Sequence, residues 1–227
     1  MGAYQVPETA AVSASPPLPC RLVLPMLLAA GLLSACGARP GNAGTAPPAV
    51  ASTLGAVAPD VFRDKAIGLS LGAVPGFRLY RDFHRSYRVP EGWKAFAGPD
   101  SHGREVAALV LDGSDEVAAA EMRIGASDAV EDVARCLDAP DEAVADPDQV
   151  EVGGVAFVHF HAEDAAMSHY LQVDGYRSVR NGRCVAIDLM VSGTRPEVYD
   201  PPRTPPFTVP AARVRLQQAL AAVRWND

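Results

Sequence analysis

The sequence contains no Cys-x-x-Cys pair, no Gly-x-Gly-x-x-Gly turn and no Walker sequence. Zinc-ribbon, dinucleotide and phosphate-loop chemistries each depend on one of these spacings and are therefore excluded. A polybasic stripe is also missing. The net charge is -7 and the pI near 5.2, so the chain offers little to neutralise phosphates, and nucleic acid is excluded as a main partner. The acidity serves mainly to keep the protein soluble. No repeat recurs at a solenoid or propeller period. At 227 residues the chain has room for one medium domain plus targeting and linker segments, but not for two well-cored domains.

What the chain does have begins with an apolar run. From Leu22 to Leu33 it reads Leu-Val-Leu-Pro-Met-Leu-Leu-Ala-Ala-Gly-Leu-Leu, preceded by Arg21 and followed by Ser34-Ala35-Cys36-Gly37. A permanent membrane helix needs about twenty apolar residues, and this run is too short. Its length, its flanking charge and the small residues after it fit a secretory signal whose apolar core ends at a cleavage site. Leu33-Ser34-Ala35-Cys36 resembles the lipobox of bacterial lipoproteins. That resemblance implies diacylglyceryl transfer to the Cys36 sulfur, cleavage before Cys36 and acylation of the new amino group, and two or more acyl chains anchor stably where one does not. Membrane attachment through a palmitate-type anchor on Cys36 is therefore expected, in the cell envelope. By analogy with lipoprotein sorting, Gly37 in place of Asp implies the outer membrane, facing the periplasm.

Residues Met1 to Cys20 make a long leader with Glu8, several prolines and no lysine. Either translation starts downstream of Met1 or the signal tolerates this leader. The expected organisation is then a signal peptide over residues 1–35, a lipidated Cys36 with an Ala/Gly/Pro-rich tether over 36–59, and one globular domain over 60–227. The tether has almost no charge or large apolar side chains and cannot bury a core.

The four cysteines divide by position, Cys20 and Cys36 in the export region and Cys136 and Cys184 in the globular part. In an oxidising compartment the latter two either pair or remain buried thiols, and spacing alone leaves both open.

Within the globular part, Val106–Leu111 and Val117–Ile124 flank Asp112-Gly113-Ser114-Asp115, which predicts a hairpin. Ser127 predicts the cap of a three-turn helix with Val130, Val133, Ala134 and Leu137 on one buried face. Gly153-Gly154 predicts a tight turn between Val150–Val152 and Val155–His161. Asn181-Gly182 does the same between Met167–Tyr176 and Arg183–Val191. Residues 200–206 read as a loop, able also to present a polyproline face. Pro210 starts a final helix whose stripe is Ala212, Leu216, Ala219, Leu220 and Val223.

Strands that follow one another between two helices give an α+β class, a mostly antiparallel sheet flanked by helices. Tyr87-Arg88-Val89-Pro90-Glu91-Gly92-Trp93, with a closing helix through Ala222-Val223-Arg224-Trp225, is similar to the opening and closing elements of PsbP-like domains. The resemblance implies an α/β/α sandwich serving as an accessory or binding module. It carries over no functional residues.

Three chemical candidates stand out. Gly68-Leu69-Ser70-Leu71-Gly72 matches the Gly-x-Ser-x-Gly spacing of a nucleophile elbow, but the Ala-Val-Pro-Gly that follows starts no helix, so a loop or edge segment is expected. His159 and His161 are two apart in a strand and leave the same face, and His169 on the next strand can approach them. Together, or with Glu163, they match a zinc, copper or iron site; alternatively they are polar residues on a wet face. Tyr176, Arg177, Arg180 and Arg183 gather at the Asn181-Gly182 tip, where they grip an anion or simply contact solvent. Asp112, Asp115 and Glu116 lack calcium-loop spacing and read as turn formers. With no convergent catalytic set, the leading expectation is a non-enzymatic accessory lipoprotein that binds an envelope protein, peptidoglycan or a small ligand. The alternative is a metal-binding protein using His159, His161 and His169.

Overall fold

Three two-residue turns set the strand-rich half of the chain. Gly153-Gly154, Met167-Ser168 and Asn181-Gly182 all have positive φ at both positions, between 48° and 84°. That conformation matches the right-handed twist of the flanking strands and closes the tightest hairpins. In the computed structural model, which describes residues 60–83 and 92–226, these turns join β6 (Asp148–Val152), β7 (Val155–Ala166), β8 (His169–Arg180) and β9 (Arg183–Thr194).

Before them in the chain come β1 (Asp60–Asp64), β2 (Leu69–Gly72), β3 (Phe77–Tyr80), β4 (Arg104–Leu111) and β5 (Ala118–Ser127). A seven-stranded antiparallel sheet runs in the order β3-β4-β5-β9-β8-β7-β6. A smaller sheet has the order β1-β2-β10, where β10 is Val223–Trp225. Among the described residues two α-helices, α1 (Val130–Ala134) and α2 (Val209–Leu220), and a short 3-10 turn at Pro196–Val198 complete the elements. The fold is thus dominated by antiparallel sheet.

One face of the large sheet meets α2. The Thr208 side chain accepts a hydrogen bond from Ala211 N–H and Pro210 lies in the first turn, two signals that start a helix. Ala212, Leu216, Ala219 and Leu220 are buried and share a core with Ile124 of β5, Ile187 and Leu189 of β9, and Leu69 and Leu71 of β2. Period-2 alternation along β9 sends Val185, Ile187, Leu189 and Val191 into this core. On the opposite face Cys184, Ala186 and Met190 meet Trp93, Ala95 and Cys136 in two smaller clusters.

Several expectations need correction. The final helix stops at Leu220, and Val223 and Trp225 belong to β10, which pairs with β2 through Val223↔Leu71 and Trp225↔Leu69. Burial of Val223 satisfies the stripe, but as a strand residue. The helix expected from Ser127 is a single turn that buries no apolar stripe: Val130 and Leu137 are exposed, and the buried residue is Asp132. Polar contacts decide this. Asp132 accepts hydrogen bonds from Ser101 Oγ (2.5 Å) and His102 N–H (2.8 Å), and Ser127, in β5, is 3.0 Å away. Only Gly68 of the Gly68–Gly72 segment lies in a turn; Leu69–Gly72 is neither loop nor edge, because β2 is the buried centre of the small sheet. Residues Tyr87 to Glu91 of the segment that resembles the PsbP-like opening lie outside the described residues, as do residues 1–59 with Cys36.

Candidate functional site

The Gly153-Gly154 turn pairs Val152 with Val155, and counting back places Asp148 opposite His159. The Met167-Ser168 turn pairs Ala166 with His169, placing His161 opposite Asp174 and His159 opposite Tyr176. Directly opposed side chains share a face. A row of polar groups therefore crosses β6, β7 and β8 on the α2 side of the sheet.

Asp174 sits at the centre of this row and is 5% exposed. His161 Nδ1 lies 2.8 Å from its Oδ1, and Arg213 of α2 donates from Nε and Nη2 at 3.0 to 3.2 Å. His159 Nδ1 is 2.8 Å from Asp148 Oδ1, while its Nε2 faces Asp174 Oδ1 at 3.7 Å, an ion-pair distance longer than a hydrogen bond. The His159 ring packs on Tyr176 with centroids 4.7 Å apart, and the Tyr176 hydroxyl accepts from Gln217 of α2 at 3.1 Å. Glu163 bridges outward, 3.2 Å from His161 Nε2 and accepting from Gln172 at 3.1 Å.

The electrostatics follow from this geometry. The Asp174 carboxylate, with help from Asp148, holds the His159 pKa above that of an ordinary imidazole despite opposition from burial. Burial by itself would push Asp174 up, yet the two histidines and the Arg213 charge together hold it below the usual carboxylate range. The cluster thus favours the protonated form of His159 and the ionised form of Asp174, and it ties α2 to β7 and β8.

The expected trio of histidines does not converge. His169 is five positions from Asp174 along β8, an odd number, so it leaves the opposite face of the sheet from His161. Its Nδ1 is 2.9 Å from Thr194 Oγ1. Among the described residues no group of three His, Cys, Asp or Glu is placed to hold a metal ion. Ser70 is buried at 1% exposure in the middle of β2 and accepts a hydrogen bond from Asn226 Nδ2 at 3.2 Å, so it occupies no strand-to-helix elbow and is closed to solvent.

The arginines of the Asn181-Gly182 tip are each committed elsewhere. Arg177 is buried against Asp188 at 2.7 Å, Arg180 stacks on Trp225 with its guanidinium carbon 4.8 Å from the ring centroid, and Arg183 donates to the Ala66 carbonyl. The acidic turn is equally occupied: Asp112 pairs with Arg78 at 3.0 Å, Asp115 accepts from the N–H groups of Val117 and Ala118, and Glu116 pairs with Arg203.

Cys136 and Cys184 are joined by a disulfide, Cα atoms 5.4 Å apart, inside a cluster with Trp93 and Ala186. Sequence reasoning missed Asp174, Arg213 and Gln217. Asp148 was accessible from the Gly153-Gly154 register, whereas Asp174 depended on a turn with no Gly, Pro, Asn or Asp to announce it. Among the described residues no helix is long and apolar enough to cross a membrane. No family model, curated protein or solved structure matches the chain.

Proposed function

We propose that this protein is a lipid-anchored lipoprotein of the cell envelope, held through Cys36, whose sheet domain is an accessory binding module. One observation carries the reading. The Cys136–Cys184 disulfide is buried in the folded part, and such bonds persist in oxidising compartments, where an export signal would deliver the chain. The apolar run with Leu33-Ser34-Ala35-Cys36 supports the anchor, and Gly37 supports the outer membrane and its periplasmic face. The partner is an envelope protein, peptidoglycan or a small ligand. The PsbP-like α/β/α sandwich belongs to the same reading, supported by α2 on one sheet face and by α1 with the segment around Trp93 on the other.

Expression in a bacterial host with radioactive palmitate tests the anchor. The wild-type chain is expected to carry label and to fractionate with membranes, and Cys36→Ala to lose both. A Cys36→Ala chain that stays equally labelled and membrane-bound overturns the reading. The rival assignment, metal binding through His159, His161 and His169, draws support only from the shared face of the first two. Elemental analysis of untagged protein is expected to give sub-stoichiometric metal that His161→Ala leaves unchanged.

A further inference from the structure

Between Arg135 and Arg177 the chain has no lysine or arginine, while acidic residues recur throughout. The fold brings this stretch to one border of the large sheet. β6 is the end strand there, with β7 as its one neighbour among the described residues. Residues 142–144 continue the same border further along β7, through the Ala143–Ala162 bridge and Val144 N–H donating to the His161 carbonyl. Asp141, Glu142, Asp146 and Glu151 are exposed along it and have no cationic partner among the described residues.

The backbone at this border is open in a defined way. The two-residue Gly153-Gly154 turn makes Val152 and Val155 a hydrogen-bonded pair, and alternation along an antiparallel ladder then bonds Val150 and Asp148 to β7 as well. Gln149 and Glu151 therefore direct their N–H and C=O groups away from the sheet. Both side chains are exposed, as is that of Asp148. Edge strands are commonly closed to further pairing by lysine, by a bulge or by a covering segment. β6 has an unbroken register on β7 and no lysine, and among the described residues no strand pairs with its outer side. Charge then selects what the border accepts. A second copy of the chain would set one acidic edge against another, and like charges across a strand pair oppose that arrangement. An extended chain with cationic side chains is attracted instead.

We propose that β6 is a docking edge for a partner protein, which adds an extended, lysine- or arginine-bearing segment to the sheet as a further strand. Backbone pairing at Gln149 and Glu151 fixes the segment, and alternation sorts its side chains. The cationic residues fall on the face of Gln149 and Glu151, and the residues between them fall beside Val150, half-buried on the α2 face. The inference rests on the reading of the domain as a binding module but not on lipidation, so loss of the Cys36 label would leave it untouched.

Titration of a fluorescently labelled peptide, acetyl-Thr-Lys-Val-Lys-Val-Lys-Thr-amide, into the purified full chain tests it by anisotropy, with amide hydrogen exchange reporting where the peptide sits. Saturable binding is expected, with slowed exchange at Gln149 and Glu151. Glutamate in place of the peptide's lysines is expected to abolish binding, and Glu151→Lys to weaken it roughly tenfold. Gln149→Pro removes an outward N–H that β7 does not use, a change edge strands tolerate, and is expected to abolish binding while near-ultraviolet circular dichroism stays native. The same peptide N-methylated throughout keeps its charge but cannot donate to a strand, and it is expected not to bind. Equal affinity of the methylated peptide, unchanged affinity in a folded Gln149→Pro chain, or absence of saturable binding overturns the proposal. Should Gln149→Pro fail to fold, Glu151→Lys and the methylated peptide decide it.

Discussion

At the scale of single residues, Asp174 governs the candidate site. Its carboxylate faces two imidazoles and a guanidinium while almost fully buried, so removing its charge leaves cations on β7 and α2 without their partner. Asp174→Asn is expected to lower stability by about 2 kcal/mol, measured by urea denaturation at pH 6. The pH dependence has a definite sign on each limb. The pKa of His159 is raised in the folded state, so its contribution is complete below the unfolded imidazole value and is lost as pH rises through the folded one. Asp174 is held low, so its contribution is present above the ordinary carboxylate value and lost as pH falls through the folded one. Titrating stability from pH 5 to 9 should show a decline on the alkaline side, and His159→Asn should flatten it, at a cost of about 1 kcal/mol at pH 6. An unchanged alkaline limb in His159→Asn would remove His159 as its source.

At the scale of elements, α1 is held by contacts its sequence pattern does not display. Five residues cannot sustain a helix on propensity alone. The turn is fixed by the hydrogen bonds to Asp132 and by the disulfide from Cys136 to β9. The bridge spans 48 positions, and closing a loop of that length restricts the unfolded chain enough to stabilise the fold by about 4 kcal/mol. Thermal denaturation with and without reductant should show a loss of that order, matched by Cys136→Ser. The segment bearing Trp93 lies so close to β5 that a side chain at Gly125 would collide with the Trp93 carbonyl, its Cβ falling 1.8 Å from that oxygen. Gly125→Ala is therefore expected to destabilise by about 2 kcal/mol, with a change in tryptophan fluorescence as Trp93 shifts. These contacts also explain what was readable beforehand. Gly153-Gly154 and Asn181-Gly182 announced their hairpins because Gly and Asn tolerate positive φ. Met167-Ser168 adopts the same conformation with residues that do not advertise it, so the register of β7 on β8 was not readable.

At the scale of the whole molecule, the two faces of the large sheet divide the protein's chemistry. The α2 side carries the apolar core and, towards its β6 edge, the Asp174 cluster. The far side carries the disulfide and the buried Arg177–Asp188 pair. Leu216 anchors α2 in the core at 1% exposure, and Leu216→Ala is expected to cost about 3 kcal/mol in urea denaturation, the scale of a large buried side chain cut to a methyl. The sequence by itself determined the predominance of antiparallel strands, the start of α2 and the faces of His159 and His161. All of these depend on local patterns: period-2 alternation, a capping Thr with Pro, and parity along one strand. Tertiary structure alone decided the rest. It sent His169 to the other face, made Val223–Trp225 a strand, put Leu69–Gly72 at the centre of a sheet, joined Cys136 to Cys184 and gathered Asp174 with Arg213. Each of these depends on which distant segment supplies the partner, and the pairing energy of a strand, a disulfide or a buried charge belongs to two segments at once.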